Sequence, residues 1–502
     1  MILFYKNKKG SALAFALVIM TVVSIILVSI LQFVSSQIRR SSYEIRKQQA
    51  FQIAEAGVND YIWYITKKIG NTTDANFIED FWAGTGPFTE RPRGVGTSYV
   101  AGFPANDPVG EYSIEVTPPE PYTYSFMIKS TGRMNSDAGV KKTIQIKIKK
   151  EEWSKHVFAV DAIFNVGATT VFTGKVHSNK GINFEGMATD EVSSTVPCIN
   201  SDTDYGVNHS GDPNPPHPCP TEPPSNFFPS HPSAFHAGRY IRSGIDFASM
   251  INNLETMKDK SSDGTHGRYF PNYIGTGTTA TVSGRKIILK GNSFDVCTVS
   301  AVNSSGIITR YILDTLSTST SCSGPAYVKN YEIPQNGIIF VNGNVWIEGV
   351  LTNKKVTVVA ADASVDAHGN SNLALTTGGK NVYLSKNITY TYSNGTEMLG
   401  IIGQYNVFVT DDSSNPLNVN AVLIAKNGRV GLFDHFDTTR TSLNITGSII
   451  SKEAPFFYTT DGHTWYGFHP TRNYNYDTNL ANEAPPFFPT KTGYIIDNWE
   501  EF

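Results

Sequence analysis

An uninterrupted apolar segment lies near the start of the chain. Residues 11–34 carry no charge and are mostly aliphatic. As a helix they would extend about 36 Å, which is enough to cross a bilayer. A secretory signal peptide is the alternative, but its apolar region is normally about 7–15 residues long and ends at a small-residue cleavage site. The pattern therefore predicts a helix over 11–66 that begins as a membrane-spanning segment.

The helix is predicted to continue well beyond its apolar part. Ile38, Ile45 and Ile53 recur near helical spacing, and basic residues lie between them. The second half of the helix is therefore amphipathic, and its apolar stripe can pack against a folded domain.

Residues 67–152 are predicted to complete a small α+β head. After a loop-rich stretch over 66–109, polar and apolar residues alternate in three segments, which predicts an antiparallel sheet. In the last segment Ile144, Ile146 and Ile148 would face the helix, whereas Lys147 and Lys149 would face water.

Residues 153–480 are predicted to form a mainly-β domain. The pattern Asn-Val-aromatic-aliphatic begins at Asn344, Asn381 and Asn406, and Thr-Gly-x-aliphatic begins at Thr173 and Thr446. Repeats of this kind, with a glycine at each sharp corner, favour stacked coils that share one core. We therefore predict a β-solenoid. A β-sandwich is the alternative, because the repeat intervals are irregular.

Two segments interrupt this β pattern. Residues 197–232 are so rich in proline that they predict an extended loop. Residues 244–260 carry apolar side chains at helical spacing and predict a helix packed on the β domain. Residues 481–502 are predicted to be a C-terminal tail, and the sequence leaves open whether the β domain follows the head or interrupts its sheet.

Composition excludes several classes of protein. The chain has 502 residues and a net charge of −3, with 17% charged and 40% hydrophobic residues. These values exclude a disordered chain, a multi-span membrane protein and a protein covered with basic charge for nucleic acid.

Four cysteines suggest two local disulfides. Cys198 and Cys219 lie in the proline-rich loop, and Cys297 and Cys322 flank a strand-like stretch. Such pairs are typical of an oxidising compartment outside the cytoplasm. Four unrelated free thiols are the alternative.

No motif for catalysis or metal binding is complete. The sequence lacks a phosphate-binding loop, HExxH and GxSxG, so we predict that the protein is not an enzyme and binds no cofactor. Asp202 and Asp204 only faintly resemble a calcium loop. Asp434 and Asp437 could form the acid–base pair of a glycan-acting enzyme, but such pairs arise by chance in a long chain. Aromatic residues that could stack on sugars or bases are Phe227, Phe228, Phe235, Trp465 and Tyr466.

The N-terminal segment resembles type IV prepilins. A short basic leader ends in Lys8-Lys9-Gly10 and is followed by Ser11 and the apolar helix. The stretch from Ala50 to Gly57, with Ala54-Glu55-Ala56-Gly57 at its end, resembles the A-F-x-x-A-E-A-G motif of PilX-like minor pilins. The C-terminal region also resembles that of large PilX-like proteins with a β-solenoid.

The resemblance implies how the chain is processed and where it acts. Residues 1–10 would be a leader that prepilin peptidase removes after Gly10, with methylation of Ser11. Phe15 stands where major pilins carry a glutamate that neutralises the amino terminus of a neighbouring subunit, and this departure suits a tip position. The implied partners are other pilins, the pilus assembly platform and the peptidase, with DNA or a surface glycan as ligand. The implied location is the inner or cytoplasmic membrane, then the pilus or cell surface. A type II secretion pseudopilin or a membrane-anchored surface protein with a structural solenoid is the alternative.

Overall fold

The structure is a computed structural model that describes most of the chain. The described residues are 9–70, 75–104, 106, 108–119, 125–224, 227–247, 251–263, 266–274, 280–313, 317–324, 326–365, 369–433, 438–488 and 490–502. Most of the predicted leader and the carboxylate pair Asp434 and Asp437 lie outside them.

Three helices occur in the described residues. Helix α1 spans Lys9–Ile69, α2 spans Ala75–Ala83 and α3 spans Ile251–Ser261. Short 3-10 turns lie at Trp153–Lys155, Asn372–Ala374 and Thr478–Ala481.

The strands are numbered β1 to β35 along the chain. Strands β1 to β4 are Tyr99–Phe103, Gly110–Thr117, Phe126–Met134 and Asp137–Glu152. Strands β5 to β15 are Phe158–Val160, Phe164–Val166, Thr170–Thr173, Val176–Ser178, Ile182–Phe184, Met187–Ala188, Val192–Ser194, Cys198–Ile199, Asp204–Tyr205, Val207–Asn208 and Arg239–Ile241. Strands β16 to β25 are Arg268–Phe270, Tyr273–Ile274, Ala280–Thr281, Gly284–Gly291, Ser293–Val302, Ile308–Ile312, Thr318–Ser319, Lys329–Glu332, Ile338–Asn342 and Asn344–Leu351. Strands β26 to β35 are Lys355–Ala361, Val382–Tyr390, Met398–Gly403, Val407–Val409, Leu417–Ala425, Val430–Leu432, Thr439–Ser451, Tyr458–Thr460, Trp465–Tyr476 and Thr490–Glu501.

The head is a five-stranded sheet packed on the second half of α1. Its strand order is β1-β2-β3-β4-β35, and every neighbouring pair is antiparallel. Within the predicted tail over 481–502, strand β35 lies beside β4 and completes the sheet. The β domain therefore leaves the head through one strand and returns through its neighbour.

One face of strand β4 behaves as predicted and the other does not. Ile144, Ile146 and Ile148 are buried in the head core. Lys149 is also buried, and its Nζ atom lies 2.7 Å from an Asp497 carboxylate oxygen on strand β35. The lysine face predicted to meet water is partly covered by the segment before β35, where Ala481 O and Asn482 O accept hydrogen bonds from Lys149 and Lys147.

Parallel pairing dominates the β domain. One ladder runs in the spatial order β16-β24-β26-β28-β30-β32-β5-β8-β11-β15, and each of its pairs is parallel. Strand β5, the first of the domain, lies beside β32, one of the last. The chain therefore enters in the middle of the stack, extends to one end, crosses to the other end through α3 and returns to the middle. A β-sandwich consists of antiparallel sheets, so its pattern differs from this ladder.

The asparagine repeats stack in register on a second face of the domain. The repeats that begin at Asn344, Asn381 and Asn406 are consecutive partners in a parallel ladder. Asn344 Oδ1 accepts a hydrogen bond from the Asn381 backbone N–H (2.9 Å), and Asn381 Oδ1 accepts one from Asn406 N–H (3.0 Å). Trp346 and Tyr383 stack with their ring centroids 4.8 Å apart. The repeat thus marks equivalent positions of successive parallel strands.

Residues 244–246 of the predicted helix over 244–260 are not helical, and the helix is described over Ile251–Ser261. The Asn179 side chain accepts a hydrogen bond from Ile245 N–H (2.8 Å) and donates one to Ile245 O (2.7 Å). These bonds hold the preceding segment outside the helix. Leu254 and Met257 are buried against the β domain as the spacing predicts. The proline-rich segment also differs from a plain loop, since it contains strands β12, β13 and β14.

Gly447 forms a corner that no other residue fits. Its φ of +144° is unfavourable for L side chains, and an ideal Cβ would lie 2.0 Å from Ala421 O. We expect Gly447→Ala to lower the free energy of unfolding by about 2–4 kcal/mol, as measured by urea denaturation. Gly462→Ala is the matched control, because its φ is +92° with open space around it. Equal losses in the two variants would contradict the close-approach argument.

Lys426 gives the β domain an unusual pH dependence. It is buried, and its Nζ atom donates to Leu373 O (3.1 Å) and Leu375 O (3.4 Å). Burial lowers the pKa of Lys426 to about 8, against about 10.4 in an unfolded chain. Between these values the unfolded state binds more protons, so this group makes stability rise with pH.

We expect Lys426→Met to remove this dependence. The variant should be more stable than the parent by about 1–2 kcal/mol at pH 7, because it no longer buries a charge, and the advantage should shrink by pH 10. Urea denaturation of both proteins at pH 7 and pH 10 measures it. A difference that does not vary with pH would show that Lys426 titrates normally.

Candidate functional site

The first half of helix α1 projects from the folded head. A span beginning at Leu13 has a mean hydropathy of 2.9 in its most apolar window, and none of that window is buried. This is the one helix in the described residues that is long and apolar enough to cross a membrane. The hydroxyl groups of Thr21 and Ser29 donate to backbone carbonyls of the preceding turn, so they do not need water. The segment is suited to hydrocarbon or to the interior of a helical assembly.

The predicted processing residues lie at the start of this helix. The backbone is helical at Gly10 and Ser11. Phe15 is 70% exposed on the same segment. Cleavage after Gly10 and methylation of Ser11 stay predictions.

The small residues of the predicted motif are explained by close packing of helix on sheet. Ala50 and Ala54 are fully buried. An ideal Cβ on Gly132 of strand β3 would lie 2.1 Å from Ala50 O and 2.4 Å from Ala54 N. A Cβ on Gly57 would lie 2.5 Å from Ser130 Oγ. Backbone therefore contacts backbone where α1 crosses β3.

Glu55 and Ala56 face away from this contact. Glu55 is exposed and Ala56 is half-buried. No ion pair of Glu55 is found in the described part of the chain. Packing within the head therefore does not explain the place of Glu55 in the motif.

Below the motif, an acidic residue fixes the helix to the head loops. The Asp60 carboxylate accepts hydrogen bonds from Arg93 Nη2 (2.6 Å) and from Tyr112 OH (3.0 Å). Burial, and then the hydrogen bond to Asp60, raises the pKa of Tyr112 well above its ordinary value. The amphipathic half of α1 is thereby fixed in orientation, which sets the direction of the projecting half.

Both predicted cysteine pairs are disulfides in the structure. One joins Cys198 to Cys219 and the other joins Cys297 to Cys322. Asp202 lies close to the first pair, but these sulfur atoms bond to each other and cannot hold a metal ion. Among the described residues no other cluster of metal-ligating side chains is present. The described residues around Asp202 and Asp204 therefore do not form a set of ligands for a calcium ion.

A buried ion pair between the proline-rich loop and strand β15 has no signature in the sequence. Arg239 Nη1 lies 2.6 Å from Asp212 Oδ2, and both side chains are 1% exposed. Asp212 also accepts hydrogen bonds from the His209 backbone N–H (3.0 Å) and from His231 Nε2 (2.7 Å). Burial opposes the charge of Asp212, but the bonds from Arg239 and the two histidines hold its pKa below the ordinary value.

The predicted aromatic residues do not form one surface. Phe235 is buried, and Phe227 and Phe228 pack on Tyr205 with centroids 5.2 and 5.9 Å away. Trp465 is 42% exposed, and it lines a cleft of about 660 Å³ in the wall of the β domain. This volume is typical of ligand sites.

Comparisons with known proteins bear on the N-terminal segment. Residues 9–59 match the family model described as PilX N-terminal. No curated protein matches the chain. The crystal structure of competence-associated pilin ComZ from Thermus thermophilus is similar at 11% identity, over 91% of this chain and 97% of that chain, with a TM-score of 0.32. That score does not establish a common fold. The PilX N-terminal family is not described as a family of enzymes, in agreement with the prediction from the motifs. Residues 9–59 are therefore similar to the N-terminal segment of PilX proteins.

Proposed function

We propose that this chain is a minor type IV pilin that is placed at the filament tip. The observation that carries the proposal is the projecting apolar half of α1, which has a PilX-type sequence and ends in a folded α+β head. Exposure of this large apolar surface to water is energetically unfavourable. It is stable in a bilayer before assembly and among the helices of other pilins afterwards.

The tip position is supported by two features. Phe15 replaces the acidic residue with which a major pilin neutralises the terminus of a neighbour. The β domain is also inserted between β4 and β35, so two adjacent strands carry it on the head. A large insertion is easiest to accommodate where no further subunit follows.

The β domain is proposed to be a β-solenoid that acts as a display module. Its parallel ladders, its in-register asparagine repeats and a continuous core of buried aliphatic residues support this interpretation. Capture of DNA or a glycan by this module is the adhesive role that the resemblance implies. A secretion pseudopilin or an anchored surface protein would give different results in the two experiments that follow.

Peptidase-dependent processing tests the proposal. The intact mass and the N-terminal sequence of the membrane-extracted protein are measured in cells with and without prepilin peptidase. We expect a methylated Ser11 terminus only when the peptidase is present. A Met1 terminus in both strains would overturn the pilin assignment and leave an anchored surface protein.

Labelling of purified filaments tests the position. An antibody against the β domain should mark filament ends at one site per filament. Labelling along the shaft would overturn the tip position, and a chain absent from pili but present with secretion components would favour the pseudopilin.

A further inference from the structure

On one face of the β domain, a gap separates the strands of two neighbouring turns of the chain. Strand β32 pairs with β5 on one face of the domain, and β34 pairs with β7 on another face. The turn of the chain that contains β32 and β34 is therefore the neighbour of the turn that contains β5 and β7. On the third face Phe456 forms a parallel bridge with Gly431 of strand β31. Strand β6 pairs only with β9 within the described part of the chain. The cleft of about 660 Å³ lies between Phe456 and β6.

Strand β6 presents an open backbone edge to this cleft. Phe164 N–H donates to Gly181 O, and Val166 O accepts from Glu185 N–H, so these two residues are bonded towards β9. In a parallel ladder alternate residues bond to opposite sides, and the backbone groups of Asn165 therefore point into the cleft. Asn165 is exposed and lines the cleft.

A ladder of asparagine side chains ends at the same place. Asn208 Nδ2 donates to Asn183 Oδ1 (3.5 Å), and Asn183 Nδ2 donates to Asn165 Oδ1 (2.8 Å). The Nδ2 group of Asn165 is the next donor in this series, and no acceptor for it is found among the described residues. Both backbone and side chain thus offer hydrogen bonds to one further strand.

The cleft is also positively charged at its floor. Arg472 is buried, and its guanidinium donates to the hydroxyl of Thr170 (3.0 Å) and to Phe468 O (2.7 Å), while the ring of Tyr458 covers it at 4.3 Å. These partners are neutral, and among the described residues no acidic side chain lines the cleft or pairs with Arg472. A buried cation without a counter-ion favours an anionic group nearby.

We propose that this cleft binds an acidic peptide segment in extended conformation, which adds to the edge of β6 as an extra strand. Alternate side chains of such a guest would enter the core beside Phe158 and Phe172, and a carboxylate among them would approach Arg472. Backbone bonds give affinity to this mode, and the inward pockets give specificity. The inference does not depend on assembly into a pilus.

Binding of a designed peptide tests the proposal. The probe is the acetylated and amidated heptapeptide Thr-Val-Thr-Glu-Thr-Val-Thr, whose Val and Glu side chains share one face. The same peptide with Lys in place of Glu is the charge control. Calorimetry with the detergent-solubilised full chain should show binding of the Glu peptide, at least about tenfold tighter than the Lys peptide.

Two substitutions of Asn165 distinguish strand addition at β6 from other modes of peptide binding. Asn165→Pro removes the N–H that points into the cleft but leaves the bonds to β9, and proline is tolerated on such an edge. We expect it to weaken binding by about tenfold or more with an unchanged melting temperature. Asn165→Ala, which keeps the backbone donor, should weaken binding by less than about threefold.

The remaining outcomes overturn the proposal. No binding of the Glu peptide, or equal binding by the parent and Asn165→Pro proteins, would exclude strand addition at β6. Binding of trigalacturonate but not of the peptide, with loss in Trp465→Ala, would identify the cleft as a site for acidic glycans.

Discussion

Replacing Gly132 by valine should unfold the head while the β domain stays folded. An added Cβ would lie 2.1 Å from Ala50 O and 2.4 Å from Ala54 N, and both neighbours are backbone atoms of helix α1. Neither can rotate away, so the helix must separate from β3. We expect a loss of about 3 kcal/mol or more, at the upper end of overpacking costs. Hydrogen exchange of residues 126–134, with urea denaturation of the solubilised chain, measures it.

Gly139→Val is the matched control for this prediction. Gly139 lies in the neighbouring strand β4 and is exposed, and an added Cβ would meet only a carboxylate oxygen of Asp137, at 3.3 Å. Valine also favours strands, so the control should change stability by less than about 0.5 kcal/mol. If Gly132→Val is as stable as this control, the close crossing of α1 over β3 is wrong. The small residues of the Ala54 to Gly57 motif would then require another explanation.

Local patterns in the sequence predicted the head well. The alternation of Ile144, Ile146 and Ile148 predicted one buried face, and the structure buries all three. The long helix was predicted over 11–66 and is observed from Lys9 to Ile69. These features depend on periodicity along one segment, which a single sequence contains. Strand β1 and helix α2, in contrast, lie in a stretch whose glycines and prolines predicted loops.

Local patterns in the sequence do not determine the order of the strands in space. Strand β5 lies beside β32 although the two are almost 300 residues apart in the chain, and β35 returns to β4. A repeat indicates that equivalent strands pair in register, but it does not indicate where the chain enters the ladder of strands. The open edge at Asn165 depends on that entry point, because it lies where the first and last strands of the domain meet.

Buried polar partners were also missed, and Asp212 shows why. Its partner Arg239 is 27 residues away across a proline-rich stretch, and neither belongs to a motif. In a sequence such residues are typical of solvent-exposed loops. Their burial follows from the folding of the loop over strand β15, which only the structure shows.

Removing the Asp212 carboxylate should release the proline-rich loop. Asp212→Ala would leave the Arg239 guanidinium buried without its counter-ion, although Val207 O still accepts a bond from it at 2.8 Å. Breaking one side of a buried pair costs about 3–5 kcal/mol. We expect a loss of this size in urea denaturation, with faster proteolysis within 197–232. Arg242→Ala breaks the half-exposed pair with Glu191 and is the control, with an expected loss below about 1 kcal/mol.

The same pair should give the loop an acid-sensitive stability. The pKa of Asp212 is lower in the folded than in the unfolded state, so its stabilisation is complete above the unfolded pKa of about 3.9 and is lost as pH falls through the folded value. The parent loop should therefore become susceptible to pepsin as pH falls below about 4, whereas Asp212→Ala should be equally susceptible at pH 3 and pH 5. The double variant Asp212→Leu with Arg239→Met removes both charges and should regain most of the stability. A double variant as unstable as Asp212→Ala would show that the loop depends on the hydrogen bonds of the carboxylate to His209 and His231, because only the loss of the ion pair is compensated by removing both charges.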